Sequence, residues 1–433
     1  MKRVLFFILA ACIASLPTVD AQNIYSIETE PSEDCSSGVR ISWAADTSLF
    51  QTYVLYTKAT DSQWKNALQA NAEESWRCET YNGIWSDDAS GREFYEDAVF
   101  VKCGTTLSGL KPDTEYKYVI TDGTERSREH RFRTAGAKEW SACIISDIHS
   151  YTPLPGRLAS AMSMIDTVQT HGSPVHFVLS PGDVVAWGSS YSFWKRLFEE
   201  NNFEEMMWAR VNGNHDNWTK QSQVDRKFEL PNDFFLGSSY FPRNGYEGEE
   251  GVCYHFRYGD LMCVMLNTED MHSKEGFEAA RDWLEKVVAE ARASKNAPRY
   301  IAVLMHYEWF IGTSGKTSEY GRWHDTFDRL GIDLAVAGNN HVYVRTPAIY
   351  DGEPTDGSKG TVYVVTSSSD NGRGRSFSDA PMLNDDLIQT RWTEGPHTVS
   401  AIYMNVNRKR IKLTLLNRYG EVIDSCEVVA KAR

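Results

Sequence analysis

A chain of 433 residues with 24% charged and 41% hydrophobic residues has the composition of a globular protein of two or three domains. That composition excludes wholesale disorder, a collagen-like fibre and a coiled coil, and 13 Trp and 21 Tyr predict a ring-rich core. With 45 Lys+Arg against 59 Asp+Glu the net charge is −14. No nucleic-acid partner is expected of such a chain, and a phosphate-bearing substrate would need a local positive centre, for which a metal is the obvious candidate.

Lys2 and Arg3 open the chain, residues 4–16 are almost wholly apolar, and Val19-Asp20-Ala21 precedes Gln22. This pattern predicts a signal peptide over 1–21 and a secreted or periplasmic protein. The apolar run is shorter than the ~20 residues a spanning helix needs, and no later stretch is apolar enough to cross a membrane. Leu9-Ala10-Ala11-Cys12 also fits a lipoprotein box, so a lipid anchor at Cys12 and a cell-surface location form the alternative. Beyond it lie Cys35, Cys78, Cys103, Cys143, Cys253, Cys263 and Cys426. Export permits disulfides, but an odd count leaves at least one free thiol. Without a CxxC pair, a thiolate zinc site is not expected.

Residues 22–136 read as one domain of short strands. Val39–Trp43 and Thr52–Tyr56 alternate, and Pro112-Asp113 makes a turn before the alternating run that ends at Ile120. Such spacing predicts an antiparallel sandwich. The polar insert from about Asn71 to Tyr95 reads as a long loop. In residues 137–433 strands alternate with helices. Strands are predicted at Trp140–Ile145, Val175–Leu179, Met206–Val211, Tyr300–Met305, Ile332–Ala337 and Val362–Val365. Helices are predicted near Gly156–Thr170, along the Phe277–Ala291 stripe, and along Trp323–Leu330 up to Gly331. The alternation implies an α/β layered domain.

The chemistry-bearing residues follow the strands. Asp147 and His149 come after the first, Asp183 after the second, and Asn214, His215 and Asp216 after the third. His306 follows the fourth and Asn339-Asn340-His341 the fifth. Each piece alone has a bland reading as a turn, a cap or a core histidine. In an α/β sheet, however, ligands bind beyond the carboxyl ends of the strands, so five loops would converge on one place. Oxygen and imidazole donors without thiolate suit Mn, Fe or Zn.

The order Asp147/His149, Asp183, Asn214-His215, His306, His341 resembles that of the calcineurin-like metallophosphoesterases over nearly all of residues 140–430. An N-terminal sandwich, Tyr343 and Arg345 after His341, and a hairpin over Tyr254–Asp260 make the chain resemble the purple acid phosphatases more closely. The Leu110-Lys111-Pro112-Asp113-Thr114-Glu115-Tyr116-Lys117-Tyr118 stretch is similar to fibronectin type III domains. The resemblance implies a two-domain protein. An N-terminal all-β, fibronectin III-like sandwich would precede an α/β metallophosphoesterase domain, a four-layer β-sandwich flanked by helices. By position, Asp147, His149 and His341 would hold one metal, Asp183 would bridge, and Asn214 and His306 would hold the second, with Asn339 where the family has histidine. Two such ions, Fe, Mn or Zn, clamp a phosphoryl group and acidify a bridging water. His215 would stabilise transition-state charge or protonate the leaving oxygen. Asp216 has two readings, orienting His215 or capping a helix. Arg345 reaches either a substrate oxygen or a surface ion pair.

Three departures modify these expectations. Asn339, a poorer donor than imidazole for zinc, predicts a weaker second site. Ala186 replaces the tyrosine that colours purple acid phosphatases, so a colourless enzyme is expected. Phe310–Gly321 lacks the family's extra histidines, although it offers Lys316, Glu319 and Tyr320 to a substrate. Trp187, Tyr307, Trp309 and Phe310 read either as an aromatic pocket or as core. The expected function is a secreted, binuclear metal-dependent phosphoesterase acting on small phosphate mono- or diesters. The alternative is a catalytically impaired binding protein of the same fold at the cell surface. A nuclease is disfavoured by the acidic charge.

Overall fold

The structure, a computed structural model, describes residues 23–49, 51–79, 83–86, 90–96, 98–200, 203–218, 238–311, 315–376 and 387–431. The predicted signal peptide and the Cys12 anchor lie outside the described residues.

The N-terminal region consists of two antiparallel four-stranded sheets. One runs Ile24–Glu30, Gly38–Ala45, Val99–Ser108, Glu74–Glu79; the other runs His130–Arg133, Glu115–Thr121, Tyr53–Lys58, Leu68–Asn71. Alternate residues from both sheets, among them Ile41, Trp43, Val54, Tyr118 and Ile120, pack into one apolar cluster. The Tyr116 hydroxyl accepts the Lys111 N–H across the Pro112-Asp113 turn (3.0 Å). The insert expected to be a loop is instead largely strand. Glu74–Glu79 forms the outer strand of the first sheet, and Gly83–Ser86 pairs with Glu93–Glu96. A strand at a sheet edge meets the core on few sides, so its polar residues hide the alternation that marked the inner strands.

The remainder of the chain has two mixed sheets. The six-stranded one runs Met207–Arg210, Val175–Ser180, Glu139–Ile144, Ser400–Asn407, Arg410–Asn417, Val422–Val429. Its first three strands are parallel, and three antiparallel strands from the C-terminus complete it. At the heart of the other sheet, Leu261–Met265, Tyr300–Leu304, Leu334–Ala337 and Thr361–Val365 are parallel. Period-two alternation divides these strands cleanly. Leu261, Cys263, Met265, Ala302, Leu304 and Val336 face the six-stranded sheet. Met262, Val264, Val303 and Ala335 face the helices Lys274–Ala293 and Ser318–Leu330. Burial on both faces explains their unbroken apolar runs. Helix Gly156–His171 covers the outer face of the six-stranded sheet through Leu158, Ala161, Ile165 and Val168, giving four layers. Among the described side chains, Cys35, Cys103, Cys143, Cys253, Cys263 and Cys426 are free thiols. No helix among the described residues is long and apolar enough to cross a membrane.

The β region docks against the outer strand Met207–Arg210. Arg210 lies fully buried there and makes a two-pronged pair with Glu28 while donating to the Ser238 carbonyl (2.9 Å). Thr29 donates its backbone N–H to the Phe203 carbonyl (2.7 Å), and Cys35 donates to that of Arg257 (2.9 Å).

Candidate metal centre

The carboxyl ends of the parallel strands bring six loops to one place. Backbone conformation marks it before any side chain is considered. Among the described residues, ten non-glycine positions have positive φ, and Asp147 (55°), His149 (46°), Asp183 (54°), Asn339 (66°) and His341 (61°) are five of them. Each costs of order 1 kcal/mol or more, and such strain concentrates where function requires a particular side-chain direction. Glycines make the crowding possible. A Cβ on Gly213 would lie 2.3 Å from Asp183 Oδ1, and one on Gly338 would lie 2.9 Å from Asp147 Oδ2.

Asp147, His149, Asp183 and His306 are at most 1% exposed, with His341 at 5%. Asp183 Oδ2 lies 3.3 Å from His149 Nε2 and 3.2 Å from His306 Nε2. His341 Nε2 is 3.2 Å from Asp147 Oδ1, and His306 Nε2 is 3.0 Å from Asn214 Oδ1. Donor atoms of Asp147/His149/His341, of His149/Asp183/His215 and of Asp147/Asp183/His306 form three groups, each within 4.8 Å.

Three imidazoles are oriented in the same way. The Nδ1 of His306, His341 and His215 each lies 2.8 Å from a backbone carbonyl, of Pro181, Arg373 and Ala186 respectively. A carbonyl only accepts, so each Nδ1 carries the proton and each Nε2 is left to the cluster. This is how outer contacts orient metal-ligating histidines. Burial alone would lower the His306 and His149 pKa values. The Asp183 carboxylate, with Asp370 beside His149, overrides this and raises them to about 10 and about 9. Burial pushes His215 down to about 3.

These residues fit cations. Both Asp147 oxygens and both His149 nitrogens are buried without a well-formed hydrogen bond. They meet only their neighbours in the cluster, carboxylate against imidazole at 3.2–3.3 Å, a crowd of buried donors that a cation would satisfy. The set offers oxygen and imidazole donors without thiolate, which suits divalent metal ions.

Residues 142–343 match the family model of the calcineurin-like phosphoesterases. The chain carries a calcineurin-like phosphoesterase domain. The fold of yellow lupin purple acid phosphatase PPD1 is similar over 95% of this chain and 75% of that one, with a TM-score of 0.74 and 17% identity. PhoD is similar over 96% of this chain and 90% of its own, with a TM-score of 0.58 and 11% identity. Two uncharacterized proteins of Mycobacterium tuberculosis strains are 25% identical over 311 residues, 60% of this chain and 56% of each of theirs. The chain thus spans little more than half the length of these curated relatives.

Within the phosphoesterase domain several expected residues have other work. Asp216 neither orients His215 nor caps a helix with its side chain. Its buried carboxylate accepts the N–H groups of Asp183, Val184, Val185 and Gly213 at 2.9–3.1 Å. It therefore fixes the Asp183 loop against the Asn214 loop. Arg345 does not join the cluster. Asp424, Gln389 and Thr390 hold its guanidinium, and it lines a polar cavity with Ser425, Cys426 and Lys431. Trp309 and Phe310 are fully buried core, and Tyr320 is 4% exposed. Glu319 pairs with Arg322. Among the described residues, Trp218, 39% exposed, has its ring centroid 3.5 Å from that of His215, and the half-buried Tyr307 ring lies 5.6 Å from that of His306.

Sequence reading missed two elements. Glu308, two residues after His306, accepts from Asn339 Nδ2 (2.6 Å) and Asn340 Nδ2 (3.3 Å). The sixth loop, after Thr361–Val365, brings Asp370 Oδ2 to 3.2 Å from His149 Nδ1 and Arg373 Nη2 to 3.1 Å from His215 Nε2. Its position after a parallel strand was the available signal; its sequence, Ser367-Ser368-Ser369-Asp370-Asn371-Gly372-Arg373, reads as an ordinary loop.

Proposed function

We propose that this protein is a secreted, binuclear metal-dependent phosphoesterase acting on small phosphate mono- or diesters. The observation that carries the reading is Asp183 Oδ2, seated between the Nε2 atoms of His149 and His306, where a carboxylate shared by two cations belongs. Asp147, His149 and His341 would hold one ion and Asn214, His306 and Asn339 the other. Glu308 can only accept, so it turns the Asn339 amide nitrogen toward itself and leaves Oδ1 as the donor to a cation. The fold shared with a purple acid phosphatase and PhoD supports the reaction class. Residues 1–21 support export, and the two units divide near 136/137.

When bound, a pair of such ions supplies Lewis-acid stabilisation of phosphoryl charge and a water acidic enough to attack phosphorus. The chain contributes the rest. Asp216 holds the Asp183 and Asn214 loops in register. Asp370, 0% exposed, lies against His149 Nδ1 and strengthens that imidazole as a donor. His215 keeps its proton on Nδ1 for the Ala186 carbonyl and presents Nε2 to the cleft as an acceptor. It is thus placed to hold a proton moving to or from a substrate oxygen.

Elemental analysis of the purified protein should find about two metals per chain, with turnover of p-nitrophenyl phosphate or its bis-ester. Asp183→Asn should lower that turnover by more than about 100-fold, since lesser outer contacts already cost 10–100-fold, and leave the circular dichroism spectrum unchanged. A variant that kept wild-type turnover would overturn the reading.

A further inference from the structure

Arg373 lies beyond the residues matched by the family model, in the loop after Thr361–Val365. Its backbone is built into the site. The Arg373 carbonyl accepts from His341 Nδ1 (2.8 Å), and its N–H donates to Asp370 Oδ1 (3.3 Å). Asp370 is held in turn by Ser368 Oγ (2.8 Å), and Ser369 Oγ donates to the Ser146 carbonyl beside Asp147 (2.8 Å). The side chain of Arg373 is 28% exposed and its Nε lies 3.8 Å from Asp370 Oδ2. The guanidinium therefore stands at the rim with its base anchored and its tip over the cluster.

The tip has a weak partner. Nη2 is 3.1 Å from His215 Nε2, a neutral acceptor because the ring proton is on Nδ1. A guanidinium binds an anionic oxygen far better than a neutral nitrogen, and its planar fork matches phosphate. An entering phosphoryl group would displace His215 as the partner of Nη2, leaving Nε2 open as a proton acceptor in the cleft.

We propose that Arg373 anchors the phosphoryl group and selects phosphate monoesters over diesters, an inference that rests on the phosphoesterase reading above. The selection is a matter of oxygens and charge. A monoester has three terminal oxygens and up to two negative charges, a diester two and one. With two terminal oxygens engaged deeper in the cluster, only the monoester keeps one for the rim. Asp370 and His341 position the arginine; neither contacts the substrate through it.

The test uses the full, metal-loaded chain with Arg373→Ala, Arg373→Gln and Arg373→Lys. kcat/KM is measured for p-nitrophenyl phosphate and bis-p-nitrophenyl phosphate, and inorganic phosphate binding is measured by calorimetry. The monoester-to-diester ratio should fall about tenfold or more in the Ala and Gln variants, the scale of one charge-assisted hydrogen bond, and recover in part with Lys. Phosphate affinity should weaken by a similar factor while metal content holds. A ratio within twofold of wild type and an unchanged phosphate affinity would overturn the proposal. So would a fall that appears only with loss of metal, since that would make Arg373 a support for His341. A wild-type protein that turned over neither ester would instead defeat the phosphoesterase reading, and the phosphate calorimetry would still decide whether Arg373 binds the anion.

Discussion

Asp216 shows how folding can give a side chain partners that its neighbours in sequence do not suggest. It follows His215 directly, so an orienting or capping role was the natural expectation. Folding instead places its carboxylate under a turn where four backbone N–H groups of two loops point inward. Replacing it with alanine leaves those donors unpaired in the interior. Asp216→Ala should destabilise the protein by about 3–6 kcal/mol, read as a lower midpoint in urea, and metal content should fall with it. The histidines are the opposite case. Their identity was legible from strand-end position, whereas the Nδ1 contacts to Pro181, Ala186 and Arg373 carbonyls were not. Backbone oxygens are present in every residue and carry no sequence signature.

At the scale of elements, the strands and helices that were read correctly are those buried against something. The Phe277–Ala291 stripe became helix Lys274–Ala293, with Ser273 accepting the Gly276 N–H at its start. Trp323–Leu330 extended back to Ser318, where Thr317 caps it, and stopped at Gly331 in the left-handed region (φ 63°). The Glu74–Glu79 strand was missed because a sheet edge imposes little patterning. The loops are as constrained as the strands that carry them. Gly213 lies against the Asp183 backbone N, 2.5 Å from where a Cβ would sit, and closer still to Oδ1. Gly213→Ala therefore forces the Asp183 loop to shift. Metal content should fall below one ion per chain while the far-ultraviolet circular dichroism stays native.

At the scale of the whole molecule, the two units meet across buried charge. Arg210 and Glu28 are fully buried partners, and Glu30 is 0% exposed beside them. Glu30 accepts the Tyr240 N–H with one oxygen, while the other has no hydrogen-bond partner. Burial and the Glu28 carboxylate push its pKa up from 4.5 to about 8, against the opposing pull of Lys102 and Arg210. The folded state then holds a proton that the unfolded chain has released, so stability falls as pH rises from about 4.5 to about 8. Glu30→Gln removes that dependence. Its melting temperature should match wild type near pH 4.5 and exceed it by a few degrees at pH 8. Equal melting curves at both pH values would show that Glu30 is ionised in the fold.

The sequence by itself determined the layered α/β plan and the strand-end placement of Asp147, His149, Asp183, Asn214, His215, His306 and His341, because burial periodicity and chain order are local properties. Tertiary structure alone decided the rest. It drew Glu308 to Asn339 and brought Asp370 and Arg373 in from a serine-rich loop. It turned Arg345 away to Asp424 and set Arg210 against Glu28 across 182 residues of chain. Those partners are chosen by through-space distance after the sheets have packed, and no spacing along the chain encodes them.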